Sequence, residues 1–135
     1  MITASDIDIL ARTVWGEARG EEFLGQRCIA NVVINRWQAD EGQFSKDDTI
    51  ATACLRHAQF SCWNADDPNF EKLLAIGPEA RSFRMAMRAA LEAFDEPDPT
   101  EGAKHYHTAG VSPEWSKGRE PVVIIGSHYF FVGVP

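Results

Sequence analysis

Pro97-Asp98-Pro99 divides the chain into two kinds of sequence. Two prolines in three residues remove two backbone donors and bar the helical conformation from the residue before each, so no helix runs through this point. Before it, apolar residues recur at three- and four-residue spacing. After it come short β-branched and aromatic runs separated by glycine. Helices first and strands last predict an α+β domain, mostly helical, with a small antiparallel β element near the C-terminus.

In the helical part, Ser5 to Trp15 reads as a first helix, capped by Ser5 with Asp8 three residues on. Ile7, Leu10, Ala11, Val14 and Ala18 form its inward face, Gly16 weakens it, and Gly20 stops it. A second helix runs from Phe23 to Trp37 with Cys28, Ile29, Val32 and Val33 inward. Ala39 to Lys46 is a polar loop, Thr49 to His57 a shorter helix, and Gln59 to Asn64 irregular. Pro78 suits the first position of a further helix through Phe83, Met87, Leu91 and Phe94. In the C-terminal part, Lys104 to Thr108 is extended. Val122 to Ile125 and His128 to Phe131 form a hairpin around Gly126-Ser127, a Gly-first pair that suits a type II′ turn.

The 135 residues fit one domain, residues 1–135, large enough to bury a core. No run approaches the roughly 20 apolar residues that span a bilayer, and Met1 to Asp8 has neither the basic nor the apolar region of a secretory signal peptide. A net charge of −7 argues against nucleic acid as a partner, since phosphate must be met by a basic patch. A polymer substrate would have to be held by shape, stacking and hydrogen bonds. Three cysteines are a poor disulfide framework. Cys28 reads as a core residue, whereas Cys54 and Cys62 are free to pair if the protein works outside the cell.

Three segments carry possible chemistry. Trp15-Gly16-Glu17-Ala18-Arg19-Gly20-Glu21 ends the first helix. A carboxyl beside a tryptophan suits a general acid, because an apolar wall favours the protonated form; an ordinary solvated helix end fits the same spacing. Gln59, Ser61, Trp63 and Asn64 combine amide, hydroxyl and indole groups as a sugar groove does, though Phe60 and Trp63 could equally plug the core. In Lys104-His105-Tyr106-His107-Thr108, His105 and His107 share a strand face. With His128 they make a three-histidine zinc site conceivable, although histidines that fix loops or touch substrate fit the pattern as well.

These segments, in this order, resemble the cell-wall hydrolase family of the spore-cortex-lytic enzymes SleB and CwlJ. The resemblance is carried by Leu10 to Glu21, Gly25-Gln26, Asn31 to Arg36, Gln59 to Asn64, Ala103 to Thr108, Val111-Ser112-Pro113 with Trp115, and Ile125 to Phe130. Trp15, Lys104 and Ser127 depart from the pattern. The resemblance implies a lysozyme-like domain of the lytic transglycosylase kind, cutting between N-acetylmuramic acid and N-acetylglucosamine with one catalytic glutamate, Glu17. Glu21, Gln59, Ser61, Trp63, Asn64, Tyr106, His107 and Trp115 are the expected substrate contacts, with no metal and no cofactor. The expected partner is the peptidoglycan strand, met by a monomer without membrane insertion. The setting is a phage or phage-like particle lysin released by a holin or carried on the particle, or a bacterial enzyme exported by an unrecognised route. Two alternatives stand beside this reading. One is a zinc amidase or peptidase built on His105, His107 and His128. The other is a wall-binding module without turnover.

Overall fold

A computed structural model describes residues 1–56 and 59–135. Helix α1 (Ala4–Ala18) begins at a capping box, but at Thr3 and Asp6 rather than Ser5 and Asp8. The Thr3 hydroxyl accepts from the Asp6 backbone N–H, and the Asp6 carboxylate accepts from Thr3 in return. The choice of Asp6 has a tertiary cause: its other oxygen accepts from the backbone of Ala51, at the start of the third helix. One buried carboxylate thus satisfies orphan donors at two helix starts. Asp8 instead pairs with Arg12 one turn on.

Leu10, Ala11, Val14 and Ala18 are buried as their spacing predicts, joined by Trp15, while Ile7 is only half-buried. Gly16 lies inside α1 for a packing reason. A Cβ there would stand 2.6 Å from the Cys62 Cβ and 2.8 Å from its sulfur. The helix closes at Arg19 in ordinary right-handed geometry, so Gly20 is a turn residue and not a left-handed stop.

Helix α2 (Phe23–Trp37) has the bounds read from the sequence and is buried on every side from Gly25 to Ile34. Its buried polar side chains each find a carbonyl: Gln26 donates to Glu21, Arg27 to Pro97 and Asn31 to Ala93. Helix α3 (Ile50–Leu55) is capped by Thr49; the expected continuation to His57 lies outside the described residues. Helix α4 (Phe70–Ala75) was not legible in the sequence. Helix α5 starts later than Pro78 predicts, at Arg81, and runs to Glu92. Pro78 sits instead in a turn closed by the Ala80 N–H on the Gly77 carbonyl, and Ala80 is extended. Helices α1, α2 and α5 pack around Leu10, Val14, Ile29, Val33, Phe83 and Ala90.

At the Pro97-Asp98-Pro99 junction the Asp98 carboxylate gathers Asn35 of α2, the backbone and hydroxyl of Thr100, and the Gly102 N–H. Those bonds hold its pKa below the usual carboxylate value against the opposing effect of burial. The chain is thereby tied to α2 just before the sheet begins. Strands β1 (His105–Thr108), β2 (Val123–Ile125) and β3 (His128–Phe131) form one antiparallel sheet in the order β1-β3-β2. Gly126 has φ +59°, as the first residue of the expected hairpin turn requires. Among the described residues no helix is long and apolar enough to cross a membrane.

Candidate active site

Register decides which sheet residues meet the helices. Tyr106 opposes Phe130 and Thr108 opposes His128, while Val123 opposes Phe130 and Ile125 opposes His128. Directly opposed residues share a face, so Tyr106, His128, Phe130, Val123 and Ile125 lie on one side. His105, His107, Tyr129 and Phe131 lie on the other. Phe130 and His128 are buried, and the Tyr106 hydroxyl reaches across to α1.

That contact is the centre of the site. The Tyr106 hydroxyl donates to Glu17 Oε1 at 2.6 Å. Glu17 is half-buried, one residue before the end of α1. Burial, and after it the adjoining Glu17 carboxylate, push the Tyr106 phenol well above its ordinary value, so it stays a donor. The buried Cys62 thiol also meets Glu17, and burial followed by that carboxylate pushes the thiol upward. With Oε1 engaged by tyrosine, Oε2 is the oxygen left to hold or release a proton.

Trp15 does not wall this carboxyl. Residues 15 and 17 diverge by about 200° around a helix, and the Trp15 indole turns to α5, donating to Ser82 Oγ at 2.9 Å under the Arg19 guanidinium. The side chains that meet this carboxyl are Tyr106 and Cys62 instead.

Glu21 braces the site from the next turn of chain. Its Oε1 accepts from the Ser127 N–H at 2.8 Å and the Ser127 hydroxyl at 3.1 Å, and faces His128 Nδ1 at 3.4 Å. The Ser127 N–H is the largest cause of its lowered pKa, with the hydroxyl and His128 adding to it against desolvation. Any Cβ on Gly126 would collide with this oxygen, and one on Gly25 would press the Glu21 Cβ at 3.0 Å. Two glycines therefore make room for one carboxylate that ties the hairpin tip to the end of α1. Ser127 supplies both of the donated hydrogen bonds.

The other expected contacts divide between places. Gln59 lies beside Tyr106 in a cleft of about 340 Å³ that also takes in Arg36, His105 and Trp115 at the open edge of β1. Ser61 is exposed and Asn64 half-buried, at the two ends of the turn Ser61–Trp63. The Trp63 indole donates to Thr13 Oγ1 of α1, which makes it largely a packing residue. His107 belongs to the far face of the sheet, where it stacks on Tyr129 and Phe131, and Trp115, at the edge shared with the cleft, meets Phe131 edge-on. Arg36, at the end of the Asn31–Arg36 segment, also belongs to this cleft. It is buried, lies over Phe44 and Phe60, and donates to the Lys104 carbonyl at 2.8 Å and to Gln59 Oε1 at 3.4 Å. It thus joins α2 to both sides of the cleft.

The three-histidine zinc site is overturned by the register. His105 and His107 face away from His128, and His105 is wedged between Phe44 and Trp115 with its Nε2 on the Gln43 amide. Among the described residues no group of three His, Cys, Asp or Glu side chains could hold a metal ion. Nor do Cys54 and Cys62 pair. All three cysteines are free and buried, and desolvation raises Cys28 and Cys54 to about 12.

Comparison with known proteins places the whole fold. The profile of the family described as Cell Wall Hydrolase matches residues 20–131, beginning just after Glu17. The spore cortex-lytic enzyme of Bacillus subtilis is 32% identical over 128 residues, 93% of this chain and 37% of that protein. That of Halalkalibacterium halodurans is 29% identical over 127 residues, 93% of this chain and 34% of its own length. The chain thus spans about a third of these relatives. The catalytic domain of the Bacillus cereus SleB protein superposes with a TM-score of 0.76 at 27% identity, covering 96% of this chain and 91% of that one. The catalytic domain of the germination-specific lytic transglycosylase SleB of Bacillus anthracis gives 0.74, also at 27% identity, over 95% and 94%. With most of its length matched by the family profile and its fold shared with two catalytic domains, the chain belongs to the cell wall hydrolase family.

Proposed function

We propose that this protein cuts the glycan strand of peptidoglycan between N-acetylmuramic acid and N-acetylglucosamine, as a lytic transglycosylase with Glu17 as its single acid and base. The observation that carries the proposal is the half-buried Glu17 carboxyl held by Tyr106 at the end of α1, in a fold shared with a lytic transglycosylase catalytic domain.

A two-carboxylate glycosidase needs a second carboxylate, as base or nucleophile, unengaged on the opposite face of the sugar ring. The neighbouring Glu21 carboxylate is held by the hairpin and kept ionised by its donors. A transglycosylase needs only one. Glu17 Oε2 gives its proton to the glycosidic oxygen as the C1–O bond breaks, and the N-acetylglucosamine hydroxyl departs. The resulting carboxylate takes the proton from the muramic-acid C6 hydroxyl, whose oxygen closes on C1. The product is a 1,6-anhydro end, no water is consumed, and Glu17 regains its proton. The substrate's own 2-acetamido group shields charge developing at C1. Gln59 supplies a polar contact in the cleft beside Tyr106, Ser61 and Asn64 supply others from the adjoining turn, and Tyr106 holds the acid in place.

The protein acts on the wall as a monomer, delivered by holin-type release, on a phage-like particle or by export. Replacing Glu17 with Gln keeps the Tyr106 acceptor and removes the transferable proton. Release of soluble fragments from purified peptidoglycan should fall by at least about 10²-fold with unchanged melting temperature. Release near the parent rate would remove Glu17 from the reaction.

A further inference from the structure

Helix α5 begins against the usual electrostatics of a helix. Its first turn holds no acidic residue, its N-cap Ala80 offers no side-chain acceptor, and its first residue is Arg81. Cations and orphan N–H groups therefore crowd the positive end of the helix dipole. Arg84 and Arg88 follow at positions that share the same face. Arg81, Arg84 and Arg88 are all exposed, and together they rim a cleft of about 340 Å³ floored by Phe23 and Met85.

Little neutralises this cluster. Arg88 pairs with Glu92 and lies over the Phe23 ring, and Arg84 donates to the Pro78 carbonyl. Among the described residues Arg81 and Arg84 form no ion pair. Glu79, the acid next before Arg81 in sequence, and Glu22, which precedes Phe23, are both exposed. In a chain of net charge −7, a cationic cleft is a local exception. Guanidinium groups around an apolar floor match a flexible ligand with carboxylates on a short aliphatic backbone.

We propose that this cleft binds the carboxylates of peptidoglycan stem peptides, as a tether separate from the cutting site. The proposal rests on the wall substrate proposed above. Its position suits a tether: the Trp15 indole puts this side of α1 against Ser82 of α5, while Glu17 points the other way to Tyr106. A stem peptide from a neighbouring strand can then be gripped while the catalytic cleft stays open.

The test is binding, measured in the Glu17→Gln background so that no turnover is required. The probes are sacculi bearing stem peptides and freed of teichoic acid, the same sacculi with teichoic acid retained, and glycan strands stripped of stems by an amidase. Binding to stem-bearing sacculi should exceed binding to stripped strands by about tenfold and weaken with salt. The Arg81→Ser/Arg84→Ser double variant, folded by circular dichroism, should bind all three at the level of stripped strands. Equal binding of the parent to stripped and stem-bearing material would overturn the proposal. So would retained binding in the double variant, or a preference that appears only with teichoic acid, which would assign the cleft to phosphate. Failure of wild-type protein to release fragments would count against the proposed reaction and leave this result standing.

Discussion

Tyr106 reaches Glu17 across 89 positions of sequence, and that single bond fixes which carboxyl oxygen is free. Tyr106→Phe keeps the ring against His128 and Phe130 and deletes only the hydroxyl. A hydrogen bond to a charged group contributes about 1.5–3 kcal/mol, so kcat should fall at least about tenfold while KM and the melting temperature stay close to the parent's. Steady-state kinetics on soluble glycan strands would show this, and an effect confined to KM would mean that Tyr106 binds substrate instead. At this scale the sequence was half legible. Glu17 and Tyr106 each stand in a recognisable segment, but their contact is tertiary and leaves no local trace. The role of Trp15 was misread because adjacency in sequence says little about direction on a helix. Strand alternation does place His105 and His107 together. That His128 lies on Tyr106's face depends on the register between β1 and β3, which no single strand reveals.

The hairpin β2–β3 is the element that carries the site's precision, and its tip is held by Glu21. Gly126→Ala places a side chain at φ +59° and drives its Cβ into the Glu21 carboxylate. The left-handed conformation alone costs about 1–2 kcal/mol. The variant should therefore melt several degrees lower, and it should lose activity at temperatures where circular dichroism still reports a folded protein. A melting curve and activity both equal to the parent's would show that Glu21 does not hold the hairpin. Element boundaries were legible where local signals and burial agreed. α2 and β3 match their expected limits because each is buried along most of its length. The cap of α1 lies two residues earlier than expected, at Thr3, where Asp6 also serves α3, a demand invisible from its own cap. α4 escaped notice because six residues cannot display a helical period. Pro78 is as good a turn residue as a first helical residue, and the fold uses it as a turn.

Over the whole molecule, buried histidines couple folding to acid. Burial, then Arg36, lowers His105 to about 4; burial lowers His128 against the opposing pull of Glu21 and Glu17. Both protonate first in the unfolded chain, near their ordinary value of about 6.5. Stability is therefore full above that pH and declines as pH falls from about 6.5 toward 4, where folded His105 takes its proton. Glu21 adds a second loss below about 4.5, because its folded pKa is depressed. The urea midpoint should drop through the first window, and His105→Phe, which keeps an aromatic ring between Phe44 and Trp115, should shallow that drop. A midpoint flat from pH 6.5 to 4 would contradict the buried neutral histidines. The change from helix to strand at Pro97-Asp98-Pro99 made the overall class legible. The ties made by Arg36 at the cleft, Glu21 at the hairpin tip and Asp98 at the junction were not, since Arg36, Glu21 and Asp98 each join segments far apart in sequence. The most direct test of the central claim is mass spectrometry of the fragments that wild-type protein and Glu17→Gln release from purified peptidoglycan. The account predicts muropeptides with 1,6-anhydro ends from the wild type alone. Reducing ends from the wild type, or anhydro ends from both proteins, would contradict it.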